Sequence, residues 1–255
     1  MPKIMNVSAV EILHHLKLNC QIPIVLEGIA TRIIIAEAVK KAGITVEQKE
    51  LQQAADSLRL ANQLVKADDT WAWLQKHYLS LDDLEEIAQI NLLSAKLANY
   101  LFADRVEKFF VENQLDFFGA VTYEVILDDE DLAFELFYAL QENEIAFSEI
   151  AQKYIQEIEL RRTGGYDGIR YRKDFKPEIA AAVFASRPPQ VIKPIITQTG
   201  VHLIFVEEVI KPQLNEQLRL KILGDLFSAW LKQQLEEVKV VAHLDLDNQE
   251  LAKLA

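Results

Sequence analysis

Apolar residues recur every three or four positions along Val7–Leu18 and again along Pro23–Lys41, the spacing that gathers them on one side of a helix. Gly43 stands where a helix would end on a left-handed residue. Thr45 with Gln48 reads as a capping box opening a helix over Val46–Val65, and Ser80 before Leu81-Asp82-Asp83 caps another that runs on towards Glu112. The stripe Leu84, Ile87, Ile90, Leu93, Leu97 and Leu101 on that helix calls for a partner surface. Between the two, a short connecting helix carries Trp71, Trp73, His77 and Tyr78 as packing residues. Proline is absent from Ile24 through Lys176, and only Gly28, Gly43 and Gly119 interrupt the first 163 residues. Such sparse punctuation predicts a mostly helical region.

The period shortens at Gly119. Val121–Leu127 is rich in β-branched and aromatic residues and ends in Asp128-Asp129-Glu130-Asp131, which suits a strand followed by a helix N-terminus. Helices are then predicted over Leu132–Leu140 and Phe147–Ile155. A tight turn at Gly164-Gly165-Tyr166-Asp167-Gly168 leads into a short strand at Ile169–Tyr171, and Pro177 opens a helix to about Phe184. Strands follow over Val191–Ile196 and His202–Val209, giving the order βααβαββ. After Pro212 the helical period returns through Leu218, Ile222, Phe227, Trp230 and Leu231 to about Val238, and Val240–Leu246 reads as a short strand or extended chain. A lone amphipathic helix of this kind is unstable by itself, so it is expected to pack back on the N-terminal helices.

Composition narrows the function classes. A chain of 255 residues, 50% hydrophobic and 26% charged, is long enough for a globular core. Its formal net charge of -12 repels a phosphate backbone, so no nucleic acid partner is expected. The most apolar early stretch, Ile22–Val39, is broken by Glu27, Arg32 and Glu37, so neither a secretory signal nor membrane insertion is predicted and the expected location is cytoplasmic. Cys20 is the single cysteine, and the adjacent His14 and His15 face different ways on a helix. No metal or other cofactor is therefore predicted. Gly164, Gly165 and Gly168 lead to a strand rather than a helix, which argues against a phosphate loop.

The block from about Val121 to Glu208 then shows an ordered set of short motifs. Phe147-x-x-Ile-Ala followed by Tyr154, Gly164-Gly165-x-x-Gly168, Phe175-x-Pro-Glu-Ile179, Ala182-x-Phe184, Ile192-x-Pro194 and Thr197-Gln-Thr-Gly-Val-His202-Leu-Ile resemble the parvulin-type peptidyl-prolyl isomerases. The flanking helices, with Ile33-Ile34-Ile35-Ala36-Glu37-Ala38 and the Gly43-Ile44-Thr45 turn, resemble the layout of bacterial SurA- and PrsA-type folding chaperones. The resemblance implies an α+β fold: a mostly helical N-terminal domain completed by a C-terminal helix, with an inserted FKBP-like parvulin domain. The boundaries so implied are 1–117 for the helical domain, 118–210 for the parvulin domain and 211–255 for the C-terminal helix and tail.

Carried over position by position, Phe175 and Ile179 match the pocket residues that hold a proline ring, with Phe184 beneath them. His202 with Thr199 matches the polar centre, and Glu157 falls near the place of an Asp or Cys, with Ile158 competing. The family's second histidine, on the first strand, is replaced here by Tyr123 or Glu124, depending on the alignment. Asp167 occupies a slot where a pocket-lining leucine is expected, setting a charge beside an apolar site. Arg161 and Arg162 read either as a solvated edge or as facing an acidic substrate. The implied function is an isomerase and folding factor acting on polypeptides that contain X-Pro bonds. The alternative is a catalytically weak parvulin-fold chaperone that only binds clients, and an export system and a second copy of the chain are the further partners implied.

Overall fold

A computed structural model of the chain describes residues 5–242 and residue 244. It resolves into two compact units, one made of residues 1–106 with 220–255 and the other of residues 107–219. The dividing points are Val106/Glu107 and Arg219/Leu220, some ten residues from those that the change in sequence texture suggests. Contacts explain the shift: the Phe110 ring lies 5.7 Å from that of Phe117, and Arg219 Nη2 pairs with Glu107 Oε1 at 3.0 Å. These connecting residues therefore go with the sheet-containing unit.

In the helical unit, α1 (Ala9–Leu18), α2 (Ile22–Ala42), α3 (Gln48–Ala61), α4 (Ala67–His77) and α5 (Leu81–Phe102) follow one another. Gly43 ends α2 at φ 66, and Ser80 caps α5 by accepting from the Asp83 amide. The predicted Thr45–Gln48 box is not the one that forms. Glu47 caps α3 instead, with Glu50 reaching back to its amide at 2.9 Å, and the helix stops at Ala61 because Gln63 adopts φ 60. Likewise α5 ends at Phe102, where a 3₁₀ turn (Ala103–Arg105) intervenes before α6 (Val106–Glu112). Trp71 and Tyr78 are exposed rather than packed, while the Trp73 and His77 rings meet at 4.6 Å. Ile35 and Val39 of α2 and Leu97 of α5 make a small core on which Phe227, Trp230 and Leu231 of α11 (Glu216–Glu236) pack. Of the predicted tail, residues 240–242 and 244 carry no regular element; the remainder lies outside the described residues.

The second unit is built on a four-stranded antiparallel sheet of order β2-β1-β4-β3, from β1 (Gly119–Leu127), β2 (Tyr166–Tyr171), β3 (Gln190–Thr197) and β4 (Gly200–Ile210). Strand alternation sends Val125, Leu127, Val201 and Leu203 to one face, where they bury against α7 (Glu130–Gln141) and α8 (Phe147–Tyr154). Ala120, Ile192, Ile204 and Val206 form the other core with α10 (Pro177–Ala185). A helix absent from the sequence reading, α9 (Ile158–Arg162), precedes the glycine turn. At five residues it is too short for periodicity to reveal. The fold class is α+β, with helices on both faces of the sheet in this unit.

Candidate active site

The α10 face of the sheet carries the polar centre. His202 on β4 lies opposite Ile126 on β1, so Glu124, two residues back, is its diagonal neighbour on the same face. The Glu124 Oε1 to His202 Nδ1 distance is 2.5 Å, and the two side chains are only 18% and 5% exposed. The other Glu124 oxygen accepts from Arg170 Nη1 at 2.9 Å. On the far side of the imidazole, Nε2 lies 2.8 Å from Thr197 Oγ1 and 3.2 Å from Thr199 Oγ1. Lys176 Nζ donates to both hydroxyls, at 3.2 and 2.8 Å. A buried imidazole is thus satisfied at both nitrogens, and among the described residues no buried side-chain polar atom lacks a partner.

Beside this network runs a groove of about 280 Å³. Ile126, Tyr154, Ile155 and Leu160 give it apolar walls, and Glu124, Glu157, Asp167 and Arg170 give it charge. Glu157 and Asp167 are thus brought to the same groove as Glu124. Phe175, Ile179 and Phe184 stand differently. Phe175 and Ile179 are buried in the core beneath α10, and the Phe184 ring meets that of Phe175 edge-on at 6.0 Å. The Arg170 guanidinium lies 4.2 Å from the centre of the Phe175 ring, covering it while Nη2 also donates to the Asp174 carbonyl at 3.2 Å.

Tyr123 is not part of this centre. Alternation points it to the opposite face, where its ring sits among Phe147, Tyr166 and Phe205 at 5.6 to 6.4 Å. Its phenol is held above the ordinary tyrosine range, first by a hydrogen bond to the Glu207 carboxylate and then by burial. The residue that meets His202 is Glu124, the other alternative left open by the sequence. Arg161 and Arg162 line a cavity of about 400 Å³ with Tyr123, Phe147 and Phe205, so they do not face the groove beside His202. Thr197 stands in the Thr197-Gln-Thr-Gly-Val-His202 motif but without an assigned role, and Lys176 and Arg170 are residues that the sequence did not single out. Thr197 had a signal in the Thr197-x-Thr199 spacing, whereas nothing local marks Arg170 as the partner of a residue 46 positions away.

Residues 128–208 match the family model of the PPIC-type PPIASE domain, rotamase. This segment is a parvulin domain. Over 84% of its length the chain is 22% identical to the foldase protein PrsA of Caldanaerobacter subterraneus, of which the match covers 67%. Among solved structures, it is similar to the peptidylprolyl isomerase PrsA of Bacillus cereus, at 16% identity and TM-score 0.49, covering 97% of this chain and 94% of that one. It is also similar to a SurA-like chaperone of Campylobacter jejuni, at 18% identity and TM-score 0.37, covering 83% and 94% of the two chains. The parvulin domain of this chain pairs its buried His202 with a carboxylate. No helix among the described residues is long and apolar enough to cross a membrane, and none of their His, Cys, Asp and Glu side chains form a group of three or more able to hold a metal ion.

Proposed function

We propose that the chain is a peptidyl-prolyl isomerase that works as a folding factor on unfolded polypeptides, with the groove beside Glu124 and His202 as the reaction site. The observation that carries this reading is the ordered Arg170–Glu124–His202–Thr197/Thr199 network within a parvulin domain. Rotation about an X-Pro amide crosses a barrier of roughly 18–20 kcal/mol and needs no covalent step. The protein has to grip the proline and set fixed polar groups where they favour the twisted amide over either planar form. In a proline-containing tetrapeptide assay the wild type is expected to accelerate exchange. His202→Ala should lower kcat/KM by about tenfold or more, equivalent to ~1.4 kcal/mol of transition-state stabilisation. No acceleration over blank would remove the reading.

The Arg170 cover over Phe175 favours a second reading, in which the domain binds clients without isomerising them. That version expects suppression of client aggregation with no isomerase activity and indifference to His202→Ala.

Two groove carboxylates, Glu157 and Asp167, make no ion pair among the described residues, whereas Glu124 is matched by Arg170. A lysine beside the substrate proline is therefore expected to be handled about three- to tenfold better than a glutamate at low salt, with the difference shrinking as ionic strength rises. A tetrapeptide series differing only at that position measures it.

The proposal extends to a cytoplasmic protein, a reading supported by the exposed free thiol of Cys20, which suits a reducing compartment, and to an export system as partner, which rests on the resemblance to SurA- and PrsA-type chaperones alone. It extends also to a homodimer, supported by the exposed ridge Val25, Ile29 and Ile33 on α2. Cell fractionation and sedimentation of the full chain decide these extensions.

A further inference from the structure

We propose that Glu124 is a positioning residue that, braced by Arg170, holds His202 in the tautomer with its proton on Nδ1 and turns a bare Nε2 towards Thr197 and Thr199. The consequence for catalysis rests on the isomerase reading above; the geometry does not.

An ionised carboxylate only accepts, so the 2.5 Å contact from Glu124 Oε1 places a proton on His202 Nδ1. In the neutral ring, Nε2 is then an acceptor. The groups on its other side agree with this. Lys176 Nζ has donors alone and reaches both hydroxyl oxygens, and the Thr199 amide also donates to Thr197 Oγ1 at 3.1 Å, so the Thr197 oxygen is filled and its hydrogen is left to give. Nε2 at 2.8 Å is the shortest of its acceptors, ahead of Thr199 Oγ1 at 3.0 Å and the Gly200 carbonyl at 3.3 Å. Hydrogens then run from Lys176 through Thr197 to the single lone pair of Nε2, with Thr199 Oγ1 at 3.2 Å as the secondary contact, and from Nδ1 and Arg170 to the one carboxylate.

Arg170 fixes the rotamer of Glu124 rather than merely balancing its charge. Its Nη1 holds Oε2 at 2.9 Å, its Nη2 is tied to the Asp174 carbonyl, and its flat face rests on Phe175. With Oε2 so held, Oε1 is presented to the imidazole. A buried carboxylate that orients a histidine and selects its tautomer is a general device, and replacing it by the isosteric amide leaves the shape intact while inverting the hydrogen-bond pattern.

Long-range nitrogen–proton NMR of the full chain reads the tautomer directly. Wild type is expected to show His202 protonated on Nδ1. In Glu124→Gln, Arg170 claims the amide oxygen because it can only donate, the NH₂ group turns to Nδ1, and His202 is expected to switch to Nε2–H. With this switch kcat should fall about tenfold while KM changes less than about twofold, the pattern of an interaction lost in the transition state. A wild-type His202 protonated on Nε2, a Glu124→Gln protein that keeps the wild-type tautomer, or a switched tautomer with unchanged kcat each overturns the proposal. Should Glu124→Gln fail to fold, the wild-type spectrum alone decides. Absence of isomerase activity in wild type counts against the isomerase reading instead, and the tautomer result still judges the role of Glu124.

Discussion

Gly165→Ala is expected to destabilise the parvulin unit by ~3 kcal/mol or more and to disrupt the polar centre with it. Gly165 has φ 91, a conformation L side chains rarely adopt, and an added Cβ would stand 2.8 Å from the Glu124 carbonyl oxygen and 3.2 Å from its nitrogen. Those are backbone atoms of β1, so no flexible side chain can yield. The same contact is a structural bond: the Glu124 amide donates to the Gly165 carbonyl at 3.0 Å. A methyl group here pushes on the residue that holds His202. Gly168→Ala is the control, because Gly168 has φ 80 but nothing within 4 Å of a new Cβ. It should cost only the conformational term, roughly 1–2 kcal/mol. Urea unfolding of both variants measures the difference, and equal losses would contradict the close-approach argument.

Leu203→Ala should cost ~2–5 kcal/mol, lowering the denaturation midpoint with little change in slope. Leu203 has no exposed surface and lies in the core shared with Val125, Leu136, Phe137 and Ile150. The surrounding β-sheet and two helices cannot collapse fully onto the gap, so a cavity cost is added to the lost transfer energy. Ile126→Ala is the contrast, since Ile126 is 47% exposed on the groove side of β1 and should lose less than about 1 kcal/mol. Amide resonances of β1 and β4 are the proper probe. The three tryptophans, Trp71, Trp73 and Trp230, all belong to the helical unit and report on that unit instead.

These effects bear on how much could be read in advance. Helices α2, α7 and α10 and strands β1, β3 and β4 were legible to within a few residues, because a repeating apolar pattern is a property of neighbouring positions. Pro177 at the start of α10 and Gly43 at the end of α2 marked their boundaries for the same reason. The ends of α3 and α5 were not legible. There, Gln63 at positive φ and the 3₁₀ turn after Phe102 interrupt patterns that the apolar stripe alone would have continued. At the site, motif order singled out His202, Thr199, Glu157 and Asp167 and passed through Thr197 without marking it, while nothing in the order of residues singled out Lys176 and Arg170.

By itself, then, the sequence determined an α+β chain with a parvulin block between helical segments and a single histidine for its polar centre. Only the tertiary structure decided that Glu124 rather than Tyr123 joins that histidine. The reason is register: neighbouring strand residues point to opposite faces, so a shift of one position exchanges the two. Here the pairing of β1 with β4 slips between Val121 and Thr122, which sets the parity of everything after it. The same long-range pairing brings Arg170 from β2 onto both Glu124 and Phe175, a meeting of residues far apart in the chain that no local pattern encodes.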